Sequence, residues 1–262
     1  MVGPVDPGAL LPAGLVADAS DRSRMGIRIS LKAGVRALPD RGEAGPVDCG
    51  GDVCADAPLR SLEFAVVDVE TTGGAFERGH RITEIAVLRI RGDGAVMDEY
   101  RTLVNPERHI PSFITRLTSI TWEMVSGAPR FADVAPAVAR SMRGAVFVAH
   151  NAAFDWRFVG GEFGRAGVPL TGSRLCTVHL ARKVVPEVRS RSLDSLTCFF
   201  DIAIEARHRA HGDAVATAEV LRRLLDRLEA RDITRWGELG ALLGQRAPRR
   251  KRRANPHSMD GA

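Results

Sequence analysis

The segment EFAVVDVETTGG, residues 63–74, ends an apolar run with two carboxylates, Asp68 and Glu70. Side chains two positions apart on a β-strand point to the same face, so both carboxylates project together. Two like charges at one strand end repel each other unless a cation lies between them. Thr71, Thr72 and the glycines after them suit the close approach of a ligand. The segment therefore indicates a divalent metal site, although a solvated strand end has the same spacing.

Two further segments place a carboxylate in the first turn of a predicted helix. In VAHNAAFD, residues 148–155, an apolar strand leads into a helix whose first turn carries Asp155. In HRAHGDAVATAEV, residues 208–220, Asp213 begins the last long helix and His208 precedes it by five residues. Ligands of open α/β sheets bind beyond such strand ends. Each carboxylate could instead complement a helix dipole, but three such features in one chain favour a common site.

A sheet and helices must position these residues. Apolar and alternating runs predict strands at residues 63–69, 81–90, 95–104 and 145–150, with a short strand near 174–178. Helical spacing predicts short turns within 112–129 and helices at 130–144, 152–167, 177–184, 192–200 and 212–231. Asn151 is expected to cap the helix that carries Asp155. Strands in a meander, followed by strands that alternate with helices, predict a mixed α/β sheet covered by helices.

The charge of the chain belongs to its C-terminal end. The formal net charge is +5, and residues 246–262 hold six Arg or Lys and one Asp, so the remainder is neutral. Such a tail can hold phosphates without sequence preference, or can be a solvated end. Residues 1–60 contain no aromatic side chain and no His. We expect a disordered extension over 1–58, a folded domain over 59–243 and a basic, disordered tail over 244–262.

The cysteines and the apolar segments limit where the protein works. Four cysteines do not suggest a disulfide framework in a chain this long, and CGGDVC has no histidine nearby that would favour zinc. No run of about 18 apolar residues is present, so we expect no membrane partner. The N-terminal apolar patch lacks a basic leader. These features predict a protein of the reducing cytoplasm.

Three motifs in this order, D-x-E-T-T-G, H-N-A-x-F-D and H-x-A-x-x-D-A, resemble those of the DEDDh 3′–5′ exonucleases. That DnaQ-like, or RNase T, superfamily includes the proofreading subunit of bacterial DNA polymerase III, RNase T and oligoribonuclease. The resemblance covers about residues 60–230 and extends to intervening segments such as RITEIAVLRI, LTSIT and SLDSL. It implies an α/β protein with the RNase H-like fold, in which helices flank a five-stranded mixed sheet.

The resemblance also implies roles for individual residues. Asp68, Glu70, Asp155 and Asp213 would bind two Mg²⁺ ions, for which Mn²⁺ would substitute, and His208 would be the general base. In this scheme Asp68 bridges both ions, Glu70 and Asp213 complete one site, and Asp155 serves the other. Two ions about 4 Å apart activate water and stabilise the leaving oxyanion in phosphodiester cleavage. Carboxylates without a cysteine or second histidine suit Mg²⁺ better than zinc.

The choice of the general base also follows the family pattern. His211 is close to Asp213 too, but the family places its base five residues before the aspartate, which selects His208. A related subclass uses tyrosine near this position, and the chain's only tyrosine, Tyr100, excludes it.

Substrate contacts are implied for Thr71, Thr72, Phe154 and Ile120, although each of these side chains could equally pack in the core. The family often has glycine before that isoleucine, whereas this chain has Ser119.

Together these features predict a metal-dependent exonuclease that removes nucleotides one at a time from the 3′ end of single-stranded or 3′-ended nucleic acid. DNA is favoured over RNA, and a DNA polymerase or a repair complex is the expected partner, with a stand-alone nuclease left open. The alternative is a catalytically degenerate domain that docks nucleic acid or a polymerase. Such a domain should have lost a metal ligand, and all four carboxylates are present.

Overall fold

The computed structural model describes residues 45–51 and 53–244. Its strands are β1 Val47–Cys49, β2 Glu63–Thr71, β3 Ile82–Arg91, β4 Val96–Leu103, β5 Val146–Ala149, β6 Leu170–Gly172 and β7 Arg174–Cys176. Its helices are α1 Ser112–Thr118, α2 Trp122–Ser126, α3 Phe131–Met142, α4 Ala152–Arg165, α5 Thr177–Val184, α6 Leu193–Phe200, α7 Ala210–Glu229 and α8 Trp236–Leu242. In this part of the chain, no helix combines the length and apolar character needed to cross a membrane.

The main sheet has the strand order β4-β3-β2-β5-β7. β2, β3 and β4 pair antiparallel as a meander, whereas β5 and β7 run parallel to β2. The sheet is therefore five-stranded and mixed, as predicted. β2 is its central strand, which explains why its sequence is apolar on both faces until the strand ends.

Helices cover both faces of this sheet, and the alternation of β2 decides which residues face which helices. Ala65, Val67 and Val69 pack on the face covered by α3 and α4. Phe64 and Val66 pack on the opposite face, with α5, α6, α7 and α8. The next two positions of that second face are the two carboxylates of β2, so the strand directs both of them towards α7.

The folded body begins before residue 59, where the sequence pattern placed its start. β1 pairs in parallel with β6, and the side chains of Val47 and Cys49 are fully buried in the core on the α3–α4 face. The lack of aromatic residues in this segment does not prevent valine and cysteine from being buried. Residues 1–44, 52 and 245–262, which include most of the predicted extension and nearly all of the basic tail, lie outside the described residues.

A buried ion pair joins α4 to the start of β3. Arg81 donates two hydrogen bonds to Glu162, from Nε to Oε1 and from Nη2 to Oε2, and each is 2.6 Å long. The side chains are 11% and 1% exposed, respectively. Because Glu162 lies two turns after Asp155 on α4, the pair helps to hold that carboxylate in place relative to the sheet.

Replacement of Arg81 by methionine is expected to lower the free energy of unfolding by about 3–5 kcal/mol, because it leaves the Glu162 carboxylate buried without its partner. The double variant Arg81→Met, Glu162→Leu should recover most of that loss, since packed apolar side chains can replace a buried ion pair. Urea denaturation of both variants and the wild type measures the difference. A single variant within about 1 kcal/mol of the wild type would show that the pair does not secure α4.

Candidate active site

Asp68 and Glu70 lie at the C-terminal end of β2, on the face packed against α7. β2 pairs with β3 up to Thr71, which lies opposite Ile82, and the register shifts between Glu70 and Thr71 at this end of the strand. The Thr71 hydroxyl donates a hydrogen bond of 2.8 Å to the carbonyl of Gly73, which folds the following loop back on the strand end. The predicted orientation of both carboxylates to one face is thus confirmed.

The third carboxylate comes from α7. Asp213 lies in the first turn of this helix and is 5% exposed. One carboxylate oxygen each of Asp68, Glu70 and Asp213 lies within 4.8 Å of the other two. Oδ1 of Asp213 is buried and has no hydrogen-bond partner among the described residues. A buried carboxylate oxygen without a donor is costly unless a cation contacts it.

Asp155 reaches the same strand end from α4. It lies in the first turn of that helix and is 3% exposed, and the backbone N–H groups of Val69 and of Asp155 itself act to lower its pKa against the effect of burial. Val69 stands between Asp68 and Glu70 on β2, so all four predicted carboxylates meet there. Asn151 was expected to cap α4, but its φ is +70° and its side chain accepts no hydrogen bond from the helix. The first turn of α4 instead contains Asp155, whose negative charge is favoured by the helix dipole.

Burial raises the pKa of all four carboxyl groups, and repulsion from neighbouring carboxylates adds to this rise at Asp68, Glu70 and Asp155. The pKa of Asp68 rises well above its ordinary value, through burial first and then through the charges of the other three carboxylates. Burial, then Asp213 and Glu84, raise the pKa of Glu70 to about 7. Burial is the largest cause for Asp155, whose pKa rises to about 8, and for Asp213, whose pKa also rises. Without a cation, these groups resist carrying four negative charges at neutral pH.

Divalent cations with a preference for oxygen fit this arrangement. Within the described part of the chain, the cluster of possible ligands contains carboxylates alone. Such a donor set suits Mg²⁺ and Mn²⁺ better than zinc. A cation held by these groups would remove the repulsion that raises their pKa values and would contact the unpartnered Oδ1 of Asp213.

Mg²⁺ is expected to raise the melting temperature more at pH 8 than at pH 5. In the metal-free protein, carboxyl groups with a raised pKa keep protons that the unfolded chain releases above about pH 4, so stability falls as the pH rises towards about 8. A bound cation requires ionised carboxylates and reverses this loss. Melting curves between pH 5 and 8, in EDTA and in Mg²⁺, measure the increment. An increment that is equal at every pH would contradict cation binding by these groups.

The structure places the two candidate histidines in different surroundings. His208 precedes α7 with a φ of +60°, and its charge and its backbone N–H both act to lower the pKa of Asp213. His211 lies within α7, and its Nε2 is 3.0 Å from Oε1 of Glu99 on β4. His208 is therefore adjacent to the carboxylate cluster, whereas His211 is directed towards the edge strand of the sheet.

Glu84 and Arg209 support the site and were missed from the sequence. Glu84 lies opposite Glu70 in the β2–β3 pairing and is 7% exposed. It accepts hydrogen bonds from Nη2 of Arg209 at 2.6 Å and from the backbone N–H of Ala210 at 2.9 Å. These contacts fasten the start of α7 to β3. No local spacing rule predicts a pair whose members are 125 positions apart.

Thr71 and Thr72, two of the predicted substrate contacts, are buried in the loop after β2. The Thr72 hydroxyl accepts a hydrogen bond of 3.0 Å from the N–H of Arg81 and is 3.2 Å from Nδ1 of His80. With the Thr71–Gly73 hydrogen bond, these interactions occupy both hydroxyls. Their observed role is to shape the loop, and contact with a nucleotide stays a prediction.

Phe154 and Ile120, the other two predicted contacts, differ in exposure. Phe154 is half-buried on α4, with its ring centroid 4.8 Å from that of Phe158. Ile120 is fully buried in a small apolar cluster, so it offers no surface to a terminal base in this structure. Ser119 has a φ of +59°, a region that favours glycine, the residue that the resemblance leads one to expect at this position.

Comparisons with known proteins agree with this geometry. A family model described as an exonuclease family, RNase T, matches residues 65–221, which include all four carboxylates and His208. A DNA polymerase III subunit epsilon-like protein from Rhodobacter capsulatus is 42% identical over 191 residues, which cover 72% of this chain and 27% of the relative. The 3′-5′ exonuclease DinG from Bacillus subtilis is 37% identical over 171 residues, which cover 65% of this chain and 18% of the relative. The chain spans 14–30% of the length of the first relatives that it matches.

Solved structures show the same fold. Exonuclease X in complex with 5′ overhanging duplex DNA superposes with a TM-score of 0.54 and 28% identity, over 70% of this chain and 99% of that chain. The nuclease domain of 3′hExo, a DEDDh family member bound to rAMP, gives a TM-score of 0.57 at 18% identity, over 68% of this chain and 98% of that chain. The family model and the relatives show that the chain belongs to the RNase T family of DEDDh exonucleases, and the solved structures show that it has the RNase H-like fold.

Proposed function

We propose that the protein is a metal-dependent 3′–5′ exonuclease that hydrolyses the terminal phosphodiester bond of nucleic acid. The observation that carries this proposal is the convergence of Asp68, Glu70 and Asp213 within 4.8 Å, with Asp155 at the same strand end. Two divalent cations, Mg²⁺ or in its place Mn²⁺, would supply an activated water and stabilise the leaving oxyanion when bound there.

Each side chain of the site has a distinct task in this proposal. Asp68 is affected by the charges of the other three carboxylates, which suits a ligand shared by both cation positions. Glu70 and Asp213 would complete one position, and Asp155 would serve the other. His208, beside Asp213, accepts the proton of the attacking water as the general base. Phe154 is half-buried and can contact the terminal nucleotide through its exposed part.

DNA is the proposed substrate, although the fold alone does not distinguish it from RNA. A relative named as a DNA polymerase III subunit epsilon-like protein and the likeness to Exonuclease X, solved with 5′ overhanging duplex DNA, favour it. A DNA polymerase or repair complex is the proposed partner on the same grounds. All four cysteines are free, which supports a protein of the reducing cytoplasm.

A time course on two matched 5′-labelled single strands, one of DNA and one of RNA, tests this proposal in Mg²⁺, in Mn²⁺ and in EDTA. The DNA strand is expected to shorten faster with either metal and to stay intact in EDTA. Faster shortening of the RNA would correct the substrate. Binding of both strands without cleavage would replace the enzyme with a degenerate domain that docks nucleic acid.

A further inference from the structure

Arg207 brings a positive charge into contact with the carboxylate cluster. Its Nη1 donates to Oδ2 of Asp213, and its Nε donates to Oδ1 of Asp194 at 2.7 Å. The Asp194 side chain is 65% exposed and that of Asp213 is 7% exposed. The guanidinium therefore spans from a carboxylate in solvent to a buried carboxylate of the proposed cation site.

No other arginine or lysine in residues 45–51 and 53–244 forms an ion pair with any of the four carboxylates. The charge of Arg209 also acts on Glu70, but both ends of its guanidinium fork are held by Glu84, at 2.6 and 3.0 Å. Arg207 contacts one oxygen of Asp213 and leaves Oδ1, which is buried and has no partner among these residues, for a further cation. A guanidinium and a divalent cation would then each contact one oxygen of the same carboxylate, and the two positive charges would repel each other.

We propose that Arg207 is a built-in counter-ion of the cation site, and that it makes cation binding depend on a phosphate group. In the free protein its guanidinium holds Asp213 and opposes a divalent cation at the neighbouring oxygen. A phosphate of the nucleic acid offers the guanidinium another anionic partner, which removes this opposition. Cation and phosphate therefore strengthen each other's binding, and this coupling is reciprocal. The inference rests on the proposed function, because it takes the four carboxylates as the cation ligands.

Calorimetric titration of Mg²⁺ into the metal-free protein tests the first part of this inference. Arg207→Gln is expected to bind Mg²⁺ about fivefold to tenfold more tightly than the wild type, because it removes a positive charge beside the ligands. Arg207→Lys retains the charge and should stay close to the wild type. Equal or weaker binding by Arg207→Gln would overturn the inference. Binding by neither protein would overturn the cation site itself, and the proposed function with it.

Asp194→Asn gives a control of the opposite sign. It removes the exposed partner of Arg207, so the guanidinium charge acts more fully on Asp213, and Mg²⁺ should bind about threefold more weakly than in the wild type. In the Arg207→Gln background the same substitution should have no effect, because no guanidinium is left to redirect. An effect of Asp194→Asn that persists in this background would overturn the role of Arg207. Melting curves in EDTA establish that each variant is folded.

The coupling to phosphate is measured with deoxyadenosine 5′-monophosphate, which contains no phosphodiester bond to cleave. The wild type is expected to bind Mg²⁺ at least about tenfold more tightly with the nucleotide present than without it. In Arg207→Gln this ratio should fall at least about threefold, because the opposition has already been removed. A ratio that is the same in both proteins would contradict the coupling.

Discussion

Replacement of Asp68 by asparagine is expected to reduce the rate of exonuclease cleavage at least about 10³-fold and to raise the melting temperature of the metal-free protein. The rate falls because the shared carboxylate of the cation site is lost, which is a loss of about 4 kcal/mol in transition-state stabilisation. The melting temperature rises because folding raises the pKa of Asp68 through burial and three neighbouring carboxylates. Each unit of such a rise costs about 1.4 kcal/mol once the acid is ionised, and a neutral amide avoids this cost.

Asp201→Asn is the matched control for this prediction. Asp201 is exposed at the C-terminal end of α6, with a φ of +56°, a conformation that asparagine tolerates. Neither its rate in Mg²⁺ nor its melting temperature in EDTA at pH 8 should differ from the wild type. An Asp68→Asn protein that keeps more than about a tenth of the rate would contradict the shared-ligand role. One that melts below the wild type in EDTA would show that repulsion at Asp68 does not destabilise the fold.

Replacement of His208 by asparagine is expected to lower kcat by about 10²-fold to 10⁴-fold, the range typical of a lost general base. The rise in melting temperature on adding Mg²⁺ should persist, because the base takes part in proton transfer and not in holding the cation. Asparagine is preferred to alanine here, since His208 has a φ of +60°. Single-turnover rates and melting curves on the same preparation separate the two effects.

His211→Asn is the comparison that decides between the two histidines. Because Nε2 of His211 is 3.0 Å from Glu99 on β4, its loss should change the rate by no more than about threefold. A larger loss of rate in His211→Asn than in His208→Asn would transfer the role of base to His211. A lost Mg²⁺ effect in His208→Asn would make this residue part of the cation site.

Local periodicity was sufficient to predict part of this site. The alternation of β2 placed Asp68 and Glu70 on one face, and helical spacing placed Asp155 and Asp213 in the first turns of their helices. That these separate elements meet at one strand end is a property of the topology. The family motifs supplied it, because no pattern within a single strand or helix states which neighbour it packs against.

Features that depend on distant partners were not predictable in this way. β1 and β6 are three residues each and pair across more than a hundred positions, so neither shows a recognisable alternation. Glu84 occupies an ordinary position of an alternating strand, and only its contacts with Arg209 and the start of α7 set it apart. Arg207 lies beside His208 in the sequence, but its neighbour gives no indication that the arginine contacts Asp213.

The most direct test of the proposed function is the site of cleavage on one single-stranded DNA in Mg²⁺. The strand is labelled at its 5′ end in one sample and at its 3′ end in another, and a circular strand of the same sequence is treated in parallel. The 3′ label should be released at once as a mononucleotide, the 5′-labelled strand should shorten one nucleotide at a time, and the circle should stay intact. Cleavage of the circle, or earlier release of the 5′ label, would contradict a 3′–5′ exonuclease.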